Sequence, residues 1–247
     1  ERKIIKIPRN IKGYKLLKRV KTEKNDDRVV CIYQNKTGKK VVAKIWFGKR
    51  KNESYSFLKN EYNAYQVIRS ILETKKLPSD IKSIQVPKVI GFVEEESSCI
   101  LLVEYIEGRK GSTLEDSQII NNFLKIRKFI KYIGKNIPQS DKNKFSTRHW
   151  LRYLQYYIFT VILSIIKYPK YMDKIISGLV FVLTNTKTLI KDGSIGFVHG
   201  DLNFDNYIVD FEGNIYLIDF EFSKFTYMES ELASLLRYCK IRGKLYR

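Results

Sequence analysis

His199 to Glu221 reads HGDLNFDNYIVDFEGNIYLIDFE, the densest knot of acid, amide and histidine in the chain. Two demands are written into it. The alternation in YIVD and IYLI, around the turn residues Glu212, Gly213 and Asn214, predicts a β-hairpin with strands Tyr207 to Asp210 and Ile215 to Ile218. Taken alone, such a hairpin is a plain surface ribbon. The polar residues ask for more, because Asp201 precedes the first strand, Asn206 follows five residues later, and Asp219 ends the second strand. Folding the hairpin gathers these three on one edge. Two carboxylates and an amide oxygen suit a hard cation such as Mg²⁺, which takes oxygen ligands and leaves room for phosphate oxygens. Zinc is not suggested, since the stretch holds a single histidine and no cysteine. If one carboxylate faces a substrate hydroxyl and the other pair holds a Mg²⁺-nucleotide, the arrangement fits phosphoryl transfer, where positioning and charge neutralisation supply most of the rate.

Upstream of this stretch the chain changes character once. Tyr14 to Val20, Arg28 to Gln34 and Lys40 to Phe47 are β-rich runs, with turn chemistry at Asn35 to Gly38 between the last two. From Ser54 to Leu72, Phe57, Tyr62, Tyr65, Ile68 and Leu72 recur at helical spacing. Pro87 precedes two further strands, Val89 to Glu94 and Cys99 to Tyr105. After Gly108 the pattern turns helical, with candidates at Leu114 to Gly134, Thr147 to Lys167 and Tyr171 to Lys191, and a closing helix at Met228 to Tyr238. A mostly β front and a mostly helical back predict two lobes with a cleft between them, divided as residues 1–106 and 107–247.

HGDLNFDN followed by IDFE resembles the catalytic and metal-binding motifs of the protein-kinase-like phosphotransferases. The HGD form is that of aminoglycoside and choline kinases and of lipopolysaccharide (Kdo) core kinases. The resemblance extends over nearly the whole chain, because the order β, β, β, α, β, β and then helices also matches that two-lobed α+β fold. It implies that Asp201 is the catalytic aspartate, that Asn206 and Asp219 bind Mg²⁺, and that His199 supports the catalytic loop. Lys44 in VVAKIW ends the third strand, where the family has the lysine that contacts the phosphates of ATP. Glu61, 17 residues on, resembles its partner, with Glu53 as a weaker candidate. LLVEYIEG resembles the fifth strand and hinge, whose main chain from Glu104 to Ile106 would hydrogen-bond adenine.

Departures from the family pattern narrow the acceptor. The first hairpin loop, KTEKNDD from Lys21 to Asp27, contains no glycine to bring backbone close to phosphate, which leaves Lys21 or Lys24 to cover it. Position 203 is Asn where protein kinases have lysine, and Glu221 stands where their Asp-Phe-Gly has glycine. Only 28 residues follow Asp219, too few for an activation segment and the helical subdomain behind it. These features point away from signalling kinases and leave an atypical, RIO-like protein kinase as an alternative. The 92 residues between Ile106 and His199 are largely helical and carry few acids. Glu115, Asp116, Asp141 and Asp173 are scattered, whereas a pocket for cationic aminoglycosides should be lined by carboxylates. The reading is therefore an ATP-dependent kinase acting on a hydroxyl of a sugar or glycan acceptor, with a lipid-linked acceptor, as in lipopolysaccharide core, as its narrower form. A small-molecule kinase of the aminoglycoside or choline type is the runner-up. An inactive kinase-like binding module is a further alternative, opposed by the retention of Lys44, Glu61, Asp201, Asn206 and Asp219. The final ELASLLRY, Glu231 to Tyr238, resembles the closing helix of the Kdo kinases.

Composition sets the surroundings. The net charge is +20, and residues 1–51 hold 18 Lys and Arg against 4 Asp and Glu. Arg237, Lys240, Arg242, Lys244 and Arg247 form a second basic cluster. Such charge calls for a polyanionic partner, an anionic membrane surface or a phosphorylated ligand. No recognised nucleic-acid module accompanies it, so no specific nucleic-acid binding is expected. Cys31, Cys99 and Cys239 are dispersed, which predicts free thiols in a reducing compartment. Tyr153 to Ile166, with Tyr153, Tyr156, Tyr157 and Phe159, runs 14 residues without a charge, short of a bilayer span. The expected location is cytoplasmic, with peripheral attachment to the inner face of the membrane as the narrower expectation.

Overall fold

The structure is a computed structural model that describes residues 7–22, 28–48, 53–146, 150–180, 184 and 195–228. The predicted closing helix, Met228 to Tyr238, lies outside these residues beyond its first position, as do Lys24, Cys239 and the C-terminal basic cluster. So do the side chains of Lys21, Glu53, Tyr153, Tyr156 and Tyr157.

The front of the chain is a six-stranded antiparallel sheet. Its strands are β1 (Asn10–Ile11), β2 (Tyr14–Thr22), β3 (Arg28–Gln34), β4 (Lys40–Phe47), β6 (Val89–Glu94) and β7 (Ser98–Glu104). Their order is β1-β2-β3-β4-β7-β6, so β4 is central, with Lys44 opposite Val30 on one side and Leu101 on the other. Pleating sends Val41, Ala43 and Ile45 to one face, where they join Cys31, Tyr33, Ile100 and Leu102 in a buried cluster. The opposite face packs on α1 (Glu53–Thr74). The buried stripe of that helix runs through Leu58, Ala64, Tyr65, Ile68 and Ile71. Of the expected Phe57, Tyr62, Tyr65, Ile68 and Leu72, Tyr65 and Ile68 lie in this stripe, whereas Phe57, Tyr62 and Leu72 border it, Tyr62 stacking on Phe92 at 4.4 Å and Phe57 tilted against Phe222 at 4.9 Å.

The back is less purely helical than its periodicity suggests. Helices α2 (Asp116–Asn136), α3 (Gln139–Lys142) and α4 (Trp150–Lys167) are followed by helix at 172–180. A capping box starts α2, with the Glu115 amide donating to Gln118 and the Glu115 side chain accepting from the first turn. Its Ile119, Phe123, Ile126, Phe129, Ile130 and Ile133 are buried at 3.6-residue spacing. Burying each such side chain stabilises by roughly 1.5–3 kcal/mol.

The predicted hairpin is no surface ribbon. Its strands β10 (Tyr207–Asp210) and β11 (Ile215–Leu217) form the centre of a four-stranded sheet, β5-β11-β10-β8. The edges are β5 (Ile84–Gln85), parallel to β11, and β8 (Gly108–Lys110). Both edge strands are too short to leave an alternating pattern in the sequence. Tyr207, Ile215 and Leu217 are buried in the main core. A second unpredicted pair, β9 (Ile195–Val198) with β12 (Lys224–Tyr227), flanks the hairpin and leads into His199.

Candidate active site

Because Val41, Ala43 and Ile45 face away, Lys44 must face α1, and there it meets Glu61. Lys44 Nζ lies 2.9 and 2.7 Å from the two Glu61 oxygens. Glu61 occupies a place in the buried stripe of α1 that a hydrophobe would normally fill, and it is fully buried. Tyr65, one turn further on the same face, donates its hydroxyl to Glu61 Oε1 at 2.8 Å and accepts the Asp219 amide at 3.1 Å. Lys44 Nζ also stands 2.6 Å from Asp219 Oδ1 and 3.7 Å from Glu221 Oε1. Glu221 is held from the other side by Arg28, at the start of β3, at 2.6 Å. One ammonium thus sits among three carboxylates. Burial works to lower Lys44, but Glu61, Asp219 and Glu221 outweigh it and hold the ammonium protonated above the ordinary lysine range. Burial also pushes the Glu61 carboxyl up to about 7, against the pull of Lys44.

The segment carrying Asp219 is bent to fit. Asp219 adopts the left-handed region, φ 71° and ψ 54°, a conformation that a short polar residue tolerates better than most. Asn60 on α1 fastens the helical turn Phe220–Phe222 behind it, its side-chain amide lying 3.0 Å from the Glu221 carbonyl and 2.8 Å from the Ser223 carbonyl.

Asp201 belongs to a second, facing network. The Asn206 side chain donates to the Asp201 carbonyl at 2.8 Å and to its carboxylate at 3.1 Å. Asn203 donates more weakly to the same two oxygens, at 3.3 Å each, and accepts the Asp205 amide at 2.8 Å. The position that is lysine in protein kinases is here an amide that braces the loop. The Asn206 carbonyl takes the Ile218 amide at 3.0 Å, which ties this loop to the strand leading into Asp219. Gly200 lets the chain turn: its φ is +90°, and a Cβ there would lie 2.1 Å from the Phe222 carbonyl oxygen.

Lys44, Asp201, Asp219, Glu221 and Arg28 line one cleft of about 230 Å³. The hinge residues stand apart from it. Glu104 and Ile106 are half-buried at the end of β7, where the Glu104 amide donates to the Lys88 carbonyl at 2.9 Å. Four residues of the network carry no role in the sequence reading. Tyr65 and Asn60 have only their helical offset from Glu61 as a signal, and Glu221 shows only as a departure after Asp-Phe. Arg28 gives none, since its partner lies 193 residues away.

The model of a family described as the phosphotransferase enzyme family matches residues 25–247. This chain belongs to that family. No curated protein matches it by sequence, but solved structures share the fold of this phosphotransferase family member. A spectinomycin phosphotransferase in complex with ADP and spectinomycin is 14% identical, with a TM-score of 0.57 over 87% of this chain and 66% of its own length. An aminoglycoside phosphotransferase from Alicyclobacillus acidocaldarius is 11% identical, with a TM-score of 0.60 over 98% of this chain and 74% of the other. An amicoumacin kinase in complex with AMP-PNP, Ca²⁺ and its ligand is 15% identical, with a TM-score of 0.60 over 96% and 67%. The two-lobed, kinase-like α+β fold is the fold of these proteins.

His199 of this phosphotransferase-family chain is fully buried, 4.3 Å from the Phe220 ring, and its Nε2 lies 2.9 Å from the Ile218 carbonyl. A carbonyl only accepts, so Nε2 carries the proton. Burial lowers the imidazole pKa to about 4, so the ring is neutral near pH 7. A folded value below the unfolded one, about 6.5, gives stability that is present above pH ~6.5 and lost as pH falls toward ~4. The loss should reach about 3 kcal/mol. Glu61, raised in the fold, acts in the opposite sense over part of this range, so the comparison is made against a variant. The stability difference between the parent and His199→Asn should shrink as urea midpoints are followed from pH 7 down to pH 4; a constant difference refutes the buried neutral ring.

Proposed function

We propose that this protein transfers the γ-phosphate of ATP to a hydroxyl on a sugar or glycan. The observation that carries the reading is the pair of facing networks, Lys44–Glu61–Asp219 and Asp201–Asn206, across one cleft. In this reading residues 1–106 supply the nucleotide side and 107–247 the acceptor side. Lys44, fixed by Glu61, contacts the phosphates, and the main chain from Glu104 to Ile106 receives adenine. Asp201 accepts the proton of the acceptor hydroxyl as its oxygen bonds to the γ-phosphorus and the bridge to ADP breaks. The donor set fits Mg²⁺: Asp219 is 37% exposed toward the cleft, Glu221 lines it, and their carboxylate oxygens lie within 4.8 Å of each other. Asp219 and Asn206 would hold the ion, which when bound neutralises phosphate charge. Glu61 is not a ligand in this scheme, because Lys44 and Tyr65 already occupy its oxygens.

For the acceptor, the scattered acids weigh most. Glu115, Asp116, Asp141 and Asp173 are spread along the chain between the hinge and His199 and not grouped, which supports a neutral or anionic glycan, lipid-linked at the inner membrane face, over a polycationic antibiotic. The fold neighbours, several of them aminoglycoside kinases, favour the small-molecule alternative. A panel of lipopolysaccharide core sugars, aminoglycosides, choline and a basic protein, offered with labelled ATP and Mg²⁺, separates these readings. Label is expected in the core sugars. Label in aminoglycoside or choline alone selects the alternative, and label in protein alone overturns both.

A further inference from the structure

Helix α4 is apolar on two sides at once. Val161 points inward and is 7% exposed, whereas Ile158, Phe159, Ile162, Leu163 and Ile166 stand 38–72% exposed. At about 100° per residue these five share an arc of roughly 140°. A surface helix normally carries its charges on that outer face, and soluble proteins seldom leave such an apolar stripe uncovered. No Asp or Glu occurs anywhere from Trp150 to Met172. The stripe runs instead into Lys167, Tyr168, Lys170 and Tyr171. Both tyrosine rings are 47% exposed, with Lys167 Nζ 5.4 Å above one and Lys170 Nζ 5.0 Å above the other.

We propose that this face seats the protein on an anionic lipid bilayer, with Ile158, Phe159, Ile162, Leu163 and Ile166 at the acyl boundary and Lys167 and Lys170 at the level of the lipid phosphates. Charge complementarity selects this occupant. An apolar stripe without Asp or Glu that ends in exposed tyrosines and the cations Lys167 and Lys170 matches a surface where hydrocarbon lies beside negative charge. No described helix is long and apolar enough to cross a membrane, so α4 lies in the plane of the interface. Only the purpose of this docking, bringing the site to a lipid-linked acceptor, rests on the proposed function. The binding itself does not.

The test is co-sedimentation of the full chain with phosphatidylcholine vesicles, with and without phosphatidylglycerol. Binding is expected to the anionic vesicles and to fall with salt. Lys167→Gln with Lys170→Gln should weaken it by roughly tenfold or more, as should Phe159→Ser with Ile166→Ser. Both pairs are exposed, and unchanged thermal melting shows that the fold survives. The Asp201→Asn variant should bind vesicles as the parent does, which separates failure of the docking surface from failure of the catalytic assignment. Equal binding to neutral and anionic vesicles, or none, overturns the proposal. So does a concentration-dependent dimer that the Phe159 and Ile166 substitutions dissolve, which would make the stripe a self-interface.

Discussion

Asp201→Asn should slow phosphate transfer by two to four orders of magnitude, the usual worth of a positioned general base, while nucleotide affinity changes little. The substitution keeps the shape and volume of the side chain and removes its ability to take a proton. Its neighbours make it a clean probe, because the loop is held largely through other atoms: Asn206 donates to the Asp201 main-chain carbonyl at 2.8 Å, and Asn203 fixes Asp205. One contact does change. The Asn206 amide that donates to the Asp201 carboxylate at 3.1 Å can still find the carbonyl oxygen of the new amide. Transfer is measured with labelled ATP, and binding with a fluorescent ADP analogue. A rate within a few-fold of the parent, at equal binding, removes Asp201 from the chemistry. A lost rate together with lost ADP binding would make it a nucleotide-site residue instead.

Legibility in the sequence follows the physical range of each signal. Strands β2, β3, β4, β6 and β7 are long enough to show alternation and turn chemistry, and the structure places them where those signals predict. The strands β5, β8, β9 and β12 are two to four residues long, and pairing across the chain makes them. Such pairing leaves no local period, so the back half reads as more helical than it is. The same division runs through the site. His199, Asp201, Asn206 and Asp219 are visible because one short stretch sets their spacing, and Lys44 and Glu61 because a strand and a helix present them in order. Arg28, Asn60 and Tyr65 act on residues more than 150 positions away. Their roles exist only after the sheet has laid α1 against the Asp219 turn.

Lys44→Met is expected to cost the fold about 3–5 kcal/mol, the range for removing one partner of a buried ion pair, and the cost should grow with pH. Glu61 has no exposed surface and would keep its hydrogen bond from the Tyr65 hydroxyl. Burial already pushes its carboxyl up to about 7 with Lys44 present, and without that opposing ammonium the folded value must rise further. The sign follows from proton counting. Between the unfolded carboxyl value, near 4.3, and the raised folded value, the native state binds more protons than the unfolded one, so stability falls as pH rises through that window. The variant should therefore lie closest to the parent near pH 5 and furthest from it near pH 8. Adding Glu61→Gln removes the charge that has lost its partner while keeping an acceptor for Tyr65, and should restore much of the loss in a double-mutant cycle. Urea midpoints of the parent, both single variants and the double variant at pH 5 and pH 8 decide the matter. A penalty that does not change with pH, or a double variant no more stable than Lys44→Met, would mean that Lys44 stabilises the sheet by packing its alkyl chain and that its charge pairing with Glu61 contributes little.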